Sequence, residues 1–325
     1  MKRIPKGLSK ALPLLALGLS MSGAAADPSY PNRAVDLIVP FPPGGPTGTM
    51  MRVVADALSQ HWKQPVIVHN RPGGGTVVGA NAVKQAPADG YTLGAAVGPF
   101  ATNPAVRTKL PYDTLKDFTP VSMIAEEYVV LAAHKSIPAN TIPELVELAK
   151  KSKKTLSYAT PSTGGTSHLA AEMLKLRAGI DMMQVPYTGS AKIFADFIAG
   201  RVDLMFGIWH SIKPYVDSGD LKIIAVAHSE RLKDAPQYPT LAETYPGLAF
   251  TGFAGLFVRS ETPPDIVAKI AEATQTVIKE GALAEKLIKS GATPVGAGPK
   301  EFRDYLVKQI AFWTEIAKEA KVQID

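Results

Sequence analysis

The sequence predicts an α/β protein with two lobes, each a mostly parallel sheet flanked by helices. Short β-branched runs alternate with helical patterns from residue 34 onward, and the same rhythm returns in the middle third of the chain. The 325 residues are 46% apolar and 20% charged, which is typical of a folded protein large enough for two cores. Successive strand–loop–helix units lead to parallel strands joined by right-handed crossovers.

The first part of the chain has the pattern of three strands and two helices. Residues 35–39 predict a buried strand, and further strands are predicted over 66–68 and 91–97, with a helix over 77–85. The first helix is marked by five apolar residues at the 3.6-residue spacing of one face: Met51, Val54, Ala55, Leu58 and Trp62.

The remainder of the chain repeats this alternation. Thr141 and Glu144 have the spacing of a capping box, which opens an amphipathic helix ending near Lys151. Other strands are predicted over residues 128–133, 156–159, 202–206 and 222–227, with 253–258 as the one strand of the last third. Other helices are predicted over residues 166–178, 191–199, 208–216, 264–279, 283–289 and 299–318.

The order of these elements suggests that the chain leaves its first lobe and later returns to it. The crossings are expected near residues 124–127 and 247–252. Lobe 1 then comprises residues 27–125 plus 252–325, and lobe 2 comprises residues 126–251. Two lobes joined by two strands form a hinged cleft, which commonly closes around a small ligand.

The first 26 residues have the three parts of a secretory signal peptide. Four basic residues lie among the first ten, an apolar stretch covers residues 11–21, and small residues end in Ala24-x-Ala26. We therefore expect cleavage after Ala26 and a soluble, periplasmic mature protein. An N-terminal membrane anchor is the alternative, but the stretch is short for a bilayer span, and no later segment has about 18 consecutive apolar residues.

Charge and cysteine content exclude several classes of function. The net charge of +6 comes mostly from the signal peptide, since the 31 Lys and Arg beyond it face 29 Asp and Glu, so no nucleic-acid partner is expected. The chain has no cysteine, which excludes disulfides, iron–sulfur clusters, thiolate zinc sites, a cysteine nucleophile and a lipoprotein anchor.

The chain has no recognisable catalytic motif. Hydrolase, zinc-protease, P-loop and EF-hand signatures are missing from the sequence, and the glycines near position 75 fail the dinucleotide-binding spacing. His168 and Glu172 share one helix face and could bind a metal, but no third ligand is evident, so a hydrogen-bonded or capping histidine is the favoured interpretation. We expect no catalytic residue, no metal and no cofactor.

A glycine-rich loop between a strand and a helix occurs three times. These loops are Pro43-Gly44-Gly45, Pro72-Gly73-Gly74-Gly75 and Ser162-Thr163-Gly164-Gly165. Without Cβ atoms, their backbone N–H groups can approach a ligand, and the following helix N-terminus favours a carboxylate or phosphate. The alternative for any one loop is that its glycines merely permit a tight turn.

From Tyr30 to the C-terminus, the chain resembles the substrate-binding proteins of tripartite tricarboxylate transporters, the Bordetella uptake gene family. The resemblance rests on the order and spacing of several motifs: Tyr30-Pro31-x-Arg33, residues 39–45, Asn70-Arg71-Pro72-Gly73, residues 88–93, residues 164–170, Val185-Pro186-Tyr187-x-Gly189 and residues 200–206. It implies a type II periplasmic binding fold that closes like a Venus flytrap and delivers an organic anion to permease subunits. A monomer is expected.

The resemblance also implies a binding site. In the family, loops matching residues 43–47 and 72–76 hold a ligand carboxylate through backbone amides and waters, and the loop matching 162–167 completes the cleft. The expected ligand-binding residues are Phe41, Pro43, Gly44, Gly45, Thr47, Gly73, Gly74, Gly75, Thr76, Ser162, Thr163, Gly164, Thr166, Ser167, Tyr187, Lys192, Trp209 and His210.

Three positions depart from the family pattern and suggest the ligand. Gly48 and Gly207 stand where the family often has aspartate, and Lys192 stands where it often has proline. Losing two acidic residues disfavours a ligand with an ammonium group, which would lack a desolvated partner. Trp209 and Phe41 could face a ring or hydrocarbon spine, and Lys192 or His210 could meet a distal carboxylate. The alternative for Lys192 and His210 is that they are solvated surface residues.

The expected ligand is therefore a dicarboxylate without an amine, including aromatic ones such as terephthalate or phthalate. Two other functions remain open at this point. A ligand-sensing partner of a signalling receptor would use the same cleft, and an exported hydrolase would need a nucleophile–base pair that no motif supplies.

Overall fold

The computed structural model of the protein describes residues 30–279, 282–289 and 291–325. The predicted signal peptide, residues 1–26, lies outside them. In chain order, the described elements are β1 (Val35–Val39), α1 (Pro46–Trp62), β2 (Val66–Asn70), a 3-10 turn (Gly74–Thr76), α2 (Val77–Gln85), β3 (Thr92–Val97), α3 (Gly98–Val106), β4 (Phe118–Glu127), β5 (Val129–His134), α4 (Ile142–Lys151), β6 (Leu156–Thr160), α5 (Thr166–Ala178), β7 (Met182–Pro186), α6 (Ser190–Ile198), β8 (Leu204–Ile208), α7 (Trp209–Asp217), β9 (Leu221–Val226), α8 (Leu241–Thr244), β10 (Gly252–Arg259), α9 (Pro264–Lys279), α10 (Ala282–Lys289), β11 (Ala292–Ala297) and α11 (Pro299–Glu319).

The strands form two sheets, one in each lobe. The first sheet has the order β11-β4-β10-β3-β1-β2, and the second has the order β7-β6-β8-β5-β9. Strands β1, β2, β3 and β4 share one direction, while β10 and β11 run against them. In the second sheet only β5 is reversed. The predicted α/β fold with two sheets is confirmed, but the sheets are mixed: three of the five described neighbouring strand pairs in the first sheet and two of the four in the second are antiparallel.

The chain crosses between the sheets twice, at neighbouring points. Strand β4 ends at Glu127 and β5 begins at Val129, so only Tyr128 separates the sheets on the way out. On the return, Phe250 donates its N–H to the carbonyl of Ala227 in the second lobe. Glu127 then pairs with Gly252, the first residue of β10. The predicted division at 27–125 plus 252–325 and 126–251 stays a prediction, although β4 itself reaches Glu127.

The cores lie on the faces of these sheets. Helices α1 and α9 cover one face of the first sheet with side chains such as Met51, Leu58 and Ile270. Helix α11 covers the other face and reaches the second lobe, where the ring of Trp313 lies 5.2 Å from that of Phe250. Among the described residues, no helix is both long and apolar enough to span a membrane.

Elements with irregular patterns were not predicted from the sequence. Helix α3 contains Pro99 and Pro104, which obscure a helical pattern, yet Pro99 lies in the first turn where its missing N–H costs nothing. Strand β4 lies between β10 and β11 and is buried along most of its length, so it does not alternate. Strand β11 contradicts the prediction of one strand in the last third, because Pro294 and Gly296 hid it.

Candidate ligand-binding cleft

A cavity of about 360 Å³ lies between the two lobes. Its walls come from the loops at the carboxyl ends of β1 and β3 in the first lobe and of β6, β7 and β8 in the second. The crossing residues Glu127 and Gly252 also line it. Ligands bind at this edge of α/β sheets because the helix N-termini converge there.

The walls are largely apolar, with polar groups at a few points. Apolar side chains come from both lobes and from the hinge: Phe41, Pro42, Pro43, Pro46, Val97, Pro99, Val129, Pro161, Phe194, Met205, Ile208 and Phe253. Such a surface suits a hydrocarbon or aromatic body, and the few convergent polar groups fix its orientation.

Five helices begin at this cavity without a side-chain cap. Residues in the first turns of α1, α3, α5, α6 and α7 line it. The corresponding N-cap residues carry no side-chain oxygen: Gly45, Val97, Gly165, Gly189 and Ile208. By contrast, Thr141 and Thr240 cap helices α4 and α8 away from the cavity. The first N–H groups of a helix have no intrahelical acceptor, so the five ends together favour an anion.

Two buried hydroxyl groups on the cavity wall are also unsatisfied. Within the described residues, Thr166 Oγ1 and Ser211 Oγ have no hydrogen-bond partner. Ser167, the next residue of α5, instead donates to the carbonyl of Phe206 at 2.7 Å. An unpaired buried hydroxyl destabilises the protein, and because these two oxygens have almost no accessible surface, a ligand could pair with them only after the surrounding residues shift.

The cavity has two charged side chains among the described lining residues, Glu127 and Lys192. Lys192 lies at the exposed start of α6. Glu127 is only 7% exposed, and this burial raises the pKa of its carboxyl group to about 7. Near neutral pH the cavity therefore carries less negative charge than its residue types imply.

A second cavity, of about 440 Å³, adjoins the first. It is lined by the loop Gly73–Thr76, by Arg107 and by Tyr187. Gly73, Gly74 and Gly75 all have positive φ, so this turn requires glycine. The two cavities share six wall residues: Phe41, Pro42, Pro161, Ser162, Thr188 and Gly189. The cleft thus has two adjoining chambers.

A family model described as the tripartite tricarboxylate transporter family receptor matches residues 50–322. The chain belongs to this receptor family. The predicted resemblance is therefore confirmed. Receptors of this family are periplasmic, bind small carboxylates and work with transporter permeases.

Individual relatives agree with this assignment. Protein BugT of Bordetella pertussis is 30% identical over 323 residues, which cover 98% of this chain and 99% of BugT. The solved structure of R. palustris Rpa4515 with adipate has a TM-score of 0.86 and 32% identity, covering 90% of this chain and 99% of that one. MatC of Rhodopseudomonas palustris, with bound malate, has a TM-score of 0.82 and 29% identity, covering 88% of this chain and 99% of that one. The predicted two-lobe periplasmic binding fold is confirmed.

Most of the residues predicted to bind the ligand line one chamber or the other. The first chamber is lined by Phe41, Pro43, Thr47, Ser162, Thr166, Ser167 and Lys192. The second is lined by Phe41, Gly73, Gly74, Gly75, Thr76, Ser162, Thr163 and Tyr187. Gly45 and Gly164 lie behind these walls, where Gly45 caps α1 and Gly164 packs beside Val106 and Ile324. Gly44 lines neither chamber but is exposed, and a Cβ atom on it would lie 3.8 Å from Cβ of Ala191.

Trp209 and His210 do not line either chamber, contrary to the suggestion that they face the ligand. Trp209 is 3% exposed in the core of the second lobe, with its ring 5.9 Å from that of Tyr238. His210 packs beside Gly291, and burial lowers its pKa to about 4, so it is neutral at physiological pH. These residues begin α7, and their side chains point away from the cavity that Ser211 lines.

His168 forms a hydrogen bond inside the second lobe, and Glu127 and Ser211 line the first chamber. His168 Nδ1 accepts the N–H of Gly164 at 3.1 Å, so the hydrogen-bonded interpretation of this histidine is confirmed. Glu127 and Ser211 were missed, because nothing in the sequence shows that an acid at a strand end is buried. The uncapped helix starts at Gly45, Gly165 and Gly189 were a usable signal.

Proposed function

We propose that this receptor is a periplasmic solute-binding protein that captures a small organic carboxylate between its lobes and delivers it to a tripartite permease. The observation that carries the proposal is the convergence of five uncapped helix N-termini on one cavity. Charge-assisted hydrogen bonds from N–H groups to a carboxylate supply the binding energy, and closure of the lobes excludes water.

The finer proposal is a dicarboxylate without an amine, including aromatic ones such as terephthalate or phthalate. The apolar walls suit a hydrocarbon spine or a ring, and Gly207 places no acid on the wall. Lys192 and the helix ends offer positive charge to two carboxylates. The binding of adipate by Rpa4515, a structural relative, supports an uncharged spine between two carboxylates.

The proposal for localisation depends on the N-terminal segment. We infer cleavage after Ala26, which leaves a receptor without its basic leader. N-terminal sequencing of the protein recovered from the periplasm tests this directly. A mature protein that begins elsewhere would contradict the cleavage site while leaving the ligand proposal intact.

Isothermal titration calorimetry with adipate, terephthalate, phthalate, malate, aspartate and glutamate tests the proposal. We expect a simple dicarboxylate to bind more tightly than either amino acid and to be recovered unchanged, since catalysis is not proposed. Tight binding of aspartate or glutamate alone would contradict the amine-free proposal, and binding of no organic acid would contradict the function.

A matched pair of variants locates the site. Ala191 lines the first chamber at the start of α6, whereas Ala195 lies one turn later on the same helix and is exposed away from it. We expect Ala191→Phe to abolish binding by filling the chamber and Ala195→Phe to leave it unchanged. Equal affinities for the two variants would mean that the ligand binds elsewhere.

A further inference from the structure

The carboxyl group of Glu127 stands alone at the hinge end of the first chamber. Its residue ends β4, pairs with Gly252 on β10 and with Ala292 on β11, and lines the chamber. Glu127 is 7% exposed, its carboxyl oxygens keep some access to the chamber, and within the described residues no group forms a hydrogen bond or ion pair with them. A buried carboxyl group without a partner in the free protein is a group that a ligand can satisfy.

The ionisable groups around Glu127 do not neutralise it. Lys192 lies on α6 at the exposed part of the chamber. Tyr305 on α11 keeps its proton, since burial raises the pKa of its hydroxyl to about 12. Glu126 accepts a hydrogen bond from Thr251, and His210, beside Gly291, is neutral. Loss of solvation alone holds the pKa of Glu127 near 7.

We propose that Glu127 takes up a proton when the organic anion binds, and that its neutral carboxyl group then donates a hydrogen bond to an oxygen of the ligand. This inference rests on the proposed function. An ionised Glu127 beside a bound anion in a closed, water-poor chamber is unfavourable, because two like charges would share a site of low dielectric. Protonation removes that repulsion and converts an acceptor into a donor.

The inference also specifies the ligand at this end of the chamber. A neutral carboxyl group that donates its proton selects an acceptor, such as a carboxylate or carbonyl oxygen. An ionised carboxylate would instead select an ammonium group. A neutral Glu127 and an ionised Glu127 predict opposite pH dependences. Binding of an anion to the neutral form requires proton uptake, whereas binding of an ammonium group to the ionised form requires proton release.

Calorimetry of adipate and terephthalate binding from pH 6 to 9 distinguishes these cases, since both acids are essentially dianions from pH 7 to 9, where the two cases differ most. We expect affinity to change little below pH 7 and to fall by up to roughly tenfold per pH unit above it. Titrations at pH 8 in buffers of different ionisation enthalpy should show uptake of about one proton per ligand bound, as this linkage requires.

Two variants test whether Glu127 causes the pH dependence of the affinity. Glu127→Gln keeps a donor of similar shape without a titrating proton, so its affinity should not vary with pH. Glu126→Gln, the matched control, should keep the wild-type pH dependence. Thermal unfolding shows whether each variant is folded, and if Glu127→Gln is not, the proton count of the wild-type protein decides.

The outcomes that would overturn the inference are distinct from those that concern the function. An affinity that is constant or rises between pH 7 and 9 would overturn it, and so would an unchanged pH dependence in folded Glu127→Gln. If neither acid nor any other organic acid bound at any pH, the proposed function would fail, and this inference with it.

Discussion

Pro42 of the first lobe and Gly189 of the second lie against each other across the cleft. A Cβ atom at position 189 would lie only 3.1 Å from Cδ of Pro42. Gly189 also has a φ of 93° and donates its N–H to the carbonyl of Pro161 at 2.8 Å. Both residues line both chambers, so this contact lies between them and marks how closely the lobes approach.

Substitution of Gly189 by alanine should therefore weaken ligand binding. The added methyl group must push against Pro42, and the positive φ adds strain of about 1 kcal/mol. If the free energy of closing the lobes around the ligand becomes ~1.4 kcal/mol less favourable, the affinity for adipate falls roughly tenfold. Gly219→Ala is the matched control, because Gly219 also has positive φ but has open space around it. Calorimetry should show normal affinity for the control, and equal losses in both variants would argue against the cleft contact.

Removal of the Thr166 hydroxyl should lower affinity without lowering stability. Its oxygen is buried on the chamber wall without a partner in the described structure, so Thr166→Val loses no protein hydrogen bond. A lost ligand hydrogen bond corresponds to about a three- to tenfold weaker Kd. Thr102→Val is the control, since Thr102 Oγ1 is equally buried and unpartnered but lies off both chambers. Calorimetry and urea unfolding measure the two effects, and a Thr166→Val variant with wild-type affinity would contradict the assignment.

The stability of the ligand-free protein should record the burial of Glu127. The pKa of this carboxyl group rises from an ordinary 4.5 to about 7, so the folded state binds more protons than the unfolded state between these values. Its contribution to stability is fully present below pH 4.5 and is lost as pH rises through 7, by an amount of about 3 kcal/mol. Glu127→Gln should gain stability relative to wild type across this window in urea unfolding. A difference that did not vary with pH would show that Glu127 is solvated in solution.

The charge of Lys192 should affect binding modestly and in a salt-dependent way. This side chain lines the first chamber but is exposed, and it pairs with no carboxylate among the described residues. Exposed charge pairs contribute about 0.2–1 kcal/mol, so Lys192→Gln should weaken adipate binding up to about fivefold. The variant should also respond less to added salt. Lys150→Gln, an exposed lysine on α4, is the control, and identical salt dependences in the two variants would remove Lys192 from the site.

Elements with clear periodicity and clear ends were predictable from the sequence. Helices α2, α5 and α9 begin and end at the predicted residues, because loop glycines and prolines mark their starts. Strand β7 was missed because it lies at a sheet edge and leaves Met183 exposed, which breaks the expected buried run. Strand β10 was predicted over residues 253–258, but its place between β3 and β4 depends on contacts far apart in sequence, which no local pattern records.

The candidate site was predictable at the level of loops and less so at the level of side chains. The loops ending at Thr47 and Ser167 were predicted from glycine content and helix starts, and both lie on the first chamber. The direction of Trp209 was not predictable, since the first turn of a helix after a strand can face either the cleft or the core. Glu127 required the fold itself, because only the meeting of β4, β10 and β11 buries it.

The position of β10 in the first sheet has a consequence for how the protein acquires its shape. Residues 252–259 fill the gap between β3 and β4, although the whole second sheet precedes them in the chain. The strands of the second sheet are continuous in sequence, from Val129 to Val226, so their pairing needs shorter loops to close. Because the N-terminus of a newly made chain emerges first, the second lobe can fold while the first lobe still lacks its central strand, β10. The first lobe therefore begins to form first and is completed last.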